Sequence, residues 1–223
     1  MQGHTAEELK ATSDLVAAYF DSLEDKIAFL RTLSEQGHED EAQLLCLVYI
    51  AGLANNLHPP GTKSGRSFSE ALIRYGGDEL FSLVMPDYLF ENVPWKSAPL
   101  GLEIAVKNVL VTLPFGEGLH TRDLLDVLQS ELSPAHLAWL KREVWRGSVA
   151  YAVYTTLRTG SVHFGGVGAA LSFSHTYQGK PIPRVVFHNL YAALLSLAAH
   201  ARKVSQESGE WFGQADWLSS GEQ

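Results

Sequence analysis

Apolar positions recur at helical spacing through most of the chain. Leu9, Val16, Tyr19, Phe20 and Leu23 give the N-terminal region one apolar face, opened by a capping box of Thr5 and Glu8. Ile27, Leu30 and Leu33 predict a second helix ending near Gly37. From about Asp40 to Leu57 the pattern is apolar on nearly all sides, as expected of a helix in the middle of a bundle. His58-Pro59-Pro60-Gly61 stops it, because proline lacks the backbone donor and crowds the preceding turn.

Residues 61–67 then read as a polar linker, with Ser67 and Glu70 capping a short helix that ends at Gly76-Gly77. Pro86, Pro94 and Pro99 predict loop over 86–99. Leu102, Ala105, Val106, Val109, Leu110 and Leu113 follow the i, i+3, i+4, i+7 rule, and Leu124, Leu125, Leu128 and Leu132 place a shorter helix over 121–132. Ser133-Pro134 supplies an N-cap and a proline at N1 for a long helix to about Thr159, where Gly160 can end it.

The period then changes. Leu171, Phe173, His175 and Tyr177 alternate with small polar residues, and Arg184 to His188 is β-branched and aromatic. A hairpin pairing about 170–177 with 183–188 follows, with its turn at 178–183. Asn189 is expected to cap a last helix over 190–204, ahead of a polar tail at 205–223. The expected fold is mostly α: a helical bundle with one small antiparallel β-hairpin before the last helix, in a single domain spanning 1–223.

Composition narrows the function. Apolar residues make up 46% and charged residues 19%, enough for a core. The net charge of −8 repels nucleic acid, so any RNA contact must come from a local basic patch. The one cysteine, Cys46, lies in an apolar pattern, which rules out a disulfide framework and suits a reducing compartment. The N-terminus lacks an apolar signal core, and the most apolar run, Leu44 to Ala54, is far short of the ~20 residues a membrane span requires. A cytoplasmic protein with no membrane segment is the expectation.

Two apparent motifs fail on context. Gly165-Gly166-Val167-Gly168 lacks the preceding strand and following helix of a dinucleotide loop. His163, His175 and His188 have no acidic or thiol partner at ligand spacing, so cross-strand packing of His175 and His188 explains them better than zinc. Arg74-Tyr75 and Lys141-Arg142 read as solvated helix faces. Arg146, four residues after Arg142, makes that pair a phosphate-contact candidate.

The sharpest chemistry lies in Arg158-Thr-Gly-Ser-Val-His163, preceded by Tyr151-Ala-Val-Tyr154. Gly160 lets the chain bend after the helix, so that Arg158 and His163 can point to one spot, within roughly 8 Å of each other. Arginine offers a cationic fork for phosphate and histidine a proton shuttle near neutral pH. A cap on helix carbonyls and a packed imidazole would use the same residues.

These residues resemble the HEPN superfamily, helical bundles that carry an R-x4-6-H motif at the end of a core helix. Residues 42–57 resemble its central early helix, 65–77 the segment that follows, and 153–166 its motif region. The resemblance spans about 25–204, with 78–133 poorly matched. Thr159 stands where many members carry Asn, Asp or His, and Phe164 where related proteins often carry Glu. The resemblance implies a metal-independent endoribonuclease, in a toxin–antitoxin or phage-defence setting, that needs no cofactor. Arg158 and His163 would be catalytic, Tyr154 and Ser161 substrate-binding, RNA the substrate and a homodimer the assembly, with an antitoxin or other protein as a further partner. The alternative, favoured by the acidic charge and the two departures, is a non-catalytic HEPN-like module that binds a partner protein or a nucleotide.

Overall fold

The computed structural model describes residues 6–57, 62–112, 119–158, 176–177, 180–181 and 185–209. For residues 6–11, Asp87, Arg158 and the four strand residues 176–177 and 180–181 it describes the backbone alone. Helices dominate it, with a small antiparallel hairpin ahead of the last one.

The first two expected helices are one. Helix α1 runs Ala6–Glu35 without a break. Val16, Phe20, Leu23, Ile27 and Leu30 are buried along it at alternating spacings of four and three, so a single stripe continues through the charged Glu24-Asp25-Lys26. Those charges face outward, and Arg202 donates to Asp21 at 2.9 Å and also to Glu24. Helix α2 (Glu39–Asn56) packs against α1, against α3 (Ser64–Tyr75) and against the last helix. Its Cys46, Leu47 and Ile50 are fully buried.

Helix α3 starts four residues earlier than the capping pattern predicted. Lys63 is the N-cap, and Ser67 lies inside the helix, 2% exposed. Gly65 lies in its first turn, where a Cβ would come within 2.9 Å of the Tyr154 ring, so this glycine is a packing contact rather than linker. Beyond Gly77, a 3₁₀ turn (Glu79–Ser82) leads into strand β1 (Leu83–Val84). Strand β1 pairs antiparallel with β2 (Leu119–His120), a pairing the sequence pattern did not announce. The proline-rich segment also holds a helix, α4 (Pro86–Asn92). Pro86 occupies N1, where its missing N–H has no intrahelical partner to lose.

Helices α5 (Leu102–Thr112) and α6 (Thr121–Glu131) fall close to expectation, and α7 (Pro134–Glu143) starts where expected. Ser133 caps α7 by accepting from the His136 N–H at 3.3 Å. The long helix expected through Thr159 is broken. A 3₁₀ turn (Val144–Gly147) ends α7, and Ser148 caps a new helix, α8 (Val149–Ala152). The Ser148 hydroxyl donates to the Trp145 carbonyl at 2.7 Å and accepts from the Tyr151 N–H at 3.2 Å. A Cβ on Gly147 would come within 2.6 Å of Leu89 Cδ1 and 2.7 Å of Leu89 Cβ, so α4 sits directly on this corner. Gly147→Ala is therefore expected to destabilise the protein by about 1–3 kcal/mol through overpacking, read by urea denaturation. An unchanged midpoint would contradict the close approach.

Helix α8 widens into a π-helical turn, Val153–Arg158. Among the described residues the hairpin has another register than expected: β3 (Thr176–Tyr177) pairs with β4 (Lys180–Pro181), which lies within the expected turn at 178–183. Phe187 and His188 already belong to the last helix, α9 (Phe187–Ser208). Asn189 is its third residue rather than its cap, and accepts from the Val186 N–H at 3.1 Å while donating to Asp78 at 3.3 Å. The helix ends at Gly209, whose φ of +68° suits a residue without a Cβ.

Buried side chains fall into two clusters. The first joins α1, α2, α3, α8 and α9. The second, from Val84 to Val144, is built by α4 to α7. The two meet where the Met85 N–H donates to the Gly147 carbonyl at 2.8 Å and Val84 bridges Ser148. No described helix is long and apolar enough to cross a membrane.

Candidate nucleic-acid interface

The R-x4-H motif begins where the π-helical turn ends. Arg158 is the last residue of that turn, and its side chain, with all of Ser161 and His163, lies outside the described residues. So does the expected approach of Arg158 to His163. What leads up to the motif is well defined. Val153 and Leu157 are buried and anchor the turn in the first core. Thr155 donates to the Tyr151 carbonyl at 3.0 Å, and the Tyr88 hydroxyl lies 3.1 Å from Thr156 Oγ1. Turns of this wide type occur often at functional sites.

Tyr154 is held from three sides. Its hydroxyl lies 2.8 Å from Ser64 Oγ, its ring centroid is 5.6 Å from that of Phe68, and it stacks on Tyr151 at 6.2 Å with planes 12° apart. Tyr151 in turn meets Trp145 edge-on at 5.0 Å. A chain of aromatic contacts thus leads from the 3₁₀ turn to the start of the motif.

Trp145 opens onto an open groove of about 420 Å³ between the start of α3 and the corner before α8, lined by Thr62, Lys63, Arg66, Arg142, Glu143 and Arg146 as well. Four cations face one carboxylate there, in a chain whose net charge is −8. Arg146 lies 2.8 Å from Glu143, with its guanidinium 4.6 Å from the centre of the Trp145 ring. Arg66 pairs with Glu70 at 2.9 Å. Lys63 and Arg142 are exposed, and among the described residues no ion pair engages either one. Two cations are therefore fixed in place and two have no neutralising partner among those residues.

Arg142 and Arg146 are the pair whose spacing suggested phosphate contact. Lys63 and Arg66, in the presumed linker, complete the set. Their signal was there: two cations three residues apart share a face once the helix starts at Ser64.

Other chemistry-bearing groups fall away on geometry. A second cavity of about 480 Å³ is lined by Ser82, Thr121, Arg122 and Lys141 among others. Ser82 Oγ lies 2.8 Å from His120 Nδ1, and His120 Nε2 is 3.7 Å from Glu79. The pairing resembles a nucleophile with its base, but the Ser82 hydroxyl donates to the Glu79 carbonyl at 2.8 Å. The carbonyl competes with Nδ1 for the one hydroxyl proton, which weakens the imidazole's claim to act as its base. Burial pushes the Cys46 thiol up to about 12, which leaves no thiolate near neutral pH. His188 is exposed on the first turn of α9, not on a hairpin arm facing His175. His175 lies outside the described residues. Among the described residues, no three His, Cys, Asp or Glu side chains gather as a metal site.

No protein-family model matches this chain, and no curated protein or solved structure is similar to it.

Proposed function

We propose that the protein is a HEPN-like, metal-independent endoribonuclease working in a reducing, cytoplasmic setting such as toxin–antitoxin or phage defence. The observation that carries this reading is the basic groove. An acidic chain has gathered Lys63, Arg66, Arg142 and Arg146 in one place, joined by Trp145, Tyr151 and Tyr154 to the turn that ends at Arg158. Local positive charge of this kind is what an acidic protein needs before it can hold a polyanion.

In the mechanism a ribose 2′-OH attacks the adjacent phosphate, so the nucleophile belongs to the substrate. His163 moves the proton, as base on the 2′-OH or as acid on the leaving 5′-oxygen, and Arg158 stabilises the charge that builds on the phosphate. Ser161 lies between them in sequence and contacts the substrate. Tyr154 acts less as a free hydroxyl than as a spacer, because Ser64 already engages its oxygen. The direct test is incubation of the pure protein with mixed RNA in EDTA. Fragments ending in 2′,3′-cyclic or 3′-phosphates are expected, and intact RNA would reject the reading.

The assembly proposed is a homodimer with residues 158–166 at or near its two-fold axis, which doubles the local positive charge. Light scattering at tens of micromolar should give twice the mass of 24.5 kDa. A monomer there would refute it.

A second reading, the non-catalytic module, is favoured by a separate feature. Leu100, Ile104 and Val111 are 99%, 66% and 66% exposed on and just before α5, an apolar stripe suited to a protein partner such as an antitoxin. The EDTA experiment decides between the two.

A further inference from the structure

We infer that the groove between the start of α3 and the Val144–Gly147 turn is a binding site for the phosphodiester backbone of single-stranded RNA, separate from Arg158 and His163. The inference takes its substrate class from the ribonuclease reading, but it rests on different residues. Lys63 and Arg142 make the primary phosphate contacts, because among the described residues neither has a carboxylate partner. Arg66 and Arg146 stand ready on either side, held by Glu70 at 2.9 Å and Glu143 at 2.8 Å. A phosphate entering the groove displaces Glu143 from Arg146, so Glu143 weakens binding and discriminates against ligands that bring too little charge.

The lining favours a single strand: the open groove, of about 420 Å³, sets its four cations beside an aromatic side chain, Trp145. Tyr151 meets Trp145 edge-on at 5.0 Å, and single-strand sites combine cations with aromatic side chains in this way. Through Tyr151 and Tyr154 the groove connects to the π-helical turn that ends at Arg158.

The test uses the full-length protein and a fluorescein-labelled 2′-O-methyl RNA of about twelve nucleotides, which cannot be cut through its 2′ position and fits the usual span of such sites. Anisotropy is measured across a salt series. The Lys63→Ala/Arg142→Ala double variant is expected to bind about tenfold more weakly, with its salt slope reduced by about 1.4, the share of two single-strand phosphate contacts. Glu143→Gln should bind roughly two- to threefold more tightly by releasing Arg146. A charge-matched control, Lys26→Ala/Lys107→Ala, removes two exposed cations from α1 and α5 and should change little.

Equal losses in the control and groove variants would overturn the assignment, as would an unchanged salt slope in the groove variant. Competition by inorganic phosphate or a nucleoside monophosphate as strong as that of the oligonucleotide would replace it with a single-phosphate pocket. Duplex RNA binding as tightly as the single strand would refute the strand selection. Melting temperatures near the parent's confirm that each variant is folded. Binding through the groove by a protein that cuts no RNA would leave this site standing and remove the nuclease. Cutting with groove-independent binding would do the reverse.

Discussion

His163→Ala is expected to lower RNA cleavage in EDTA by about a hundredfold or more, the scale of a lost acid–base group. Arg158→Ala should cost about as much, since a preorganised donor to the developing phosphate charge contributes about 10²–10³ in rate. Neither change should shift the melting temperature far, because the residues that anchor this turn are Val153 and Leu157, not the motif itself. A DNA strand of the same sequence should remain intact, since it has no 2′-OH to attack. If the two residues only cap carbonyls and pack, the signs reverse: stability falls by about one or two kcal/mol and the parent has no cleavage to lose. Assaying cleavage and melting on the same preparations separates the outcomes. A parent that cuts, with variants that cut equally well, would also remove these residues from the chemistry.

The largest effect on stability is expected at Phe68. Its side chain is 1% exposed in the first core, and its ring lies between the body of α3 and Tyr154. Truncation to alanine should cost about 3–5 kcal/mol, the sum of lost transfer energy and a cavity the neighbours cannot fill. Against a typical total of about 5–15 kcal/mol, that approaches outright unfolding. Urea denaturation gives the number. A loss below about 1 kcal/mol would mean that the ring is not packed as described. Because Tyr154 leans on Phe68, the folded fraction of the variant should also present the motif less well, and cleavage per folded molecule should fall.

Much of the architecture was legible in the pattern of apolar residues. The stripe Val16, Phe20, Leu23, Ile27 and Leu30 specifies α1, and Ser133-Pro134 marks the start of α7. The misplaced boundaries have one cause in common: a distant contact that overrides a local preference. Nothing near Gly147 in sequence requires a break, since an isolated glycine inside a helix costs only about 1 kcal/mol. Leu89, arriving from α4, packs directly on the corner where the break falls. Ser67 is a reasonable N-cap, yet the helix starts at Ser64, with Gly65 in its first turn packed against the Tyr154 ring. Val185 and Val186 read as strand, but Asn189 reaches back to the Val186 N–H and starts α9 there.

The candidate site divides in the same way. Arg158 and His163 are visible because they are close in sequence. The groove was half visible, through Arg142 and Arg146, because its other half comes from residues 63–66 and only folding brings the two together. Charge patches assembled from separate elements leave no periodic trace.

The second core takes its residues from Val84 to Val144, and Val84 is bridged to Ser148, just past its far end. Most of the described chain between them packs in the second core, a cassette clipped to the bundle at this bridge and at contacts such as Tyr88 with Thr156 and Thr121 with Ser82. Lys63 and Arg66 belong to the bundle, whereas Arg142 and Arg146 belong to the cassette and its exit. The groove is therefore a property of the seam and of neither piece alone. Its electric field reports how closely the cassette is docked, so a change that loosened the join at Gly147 would dilute the positive charge without touching any of the four cations.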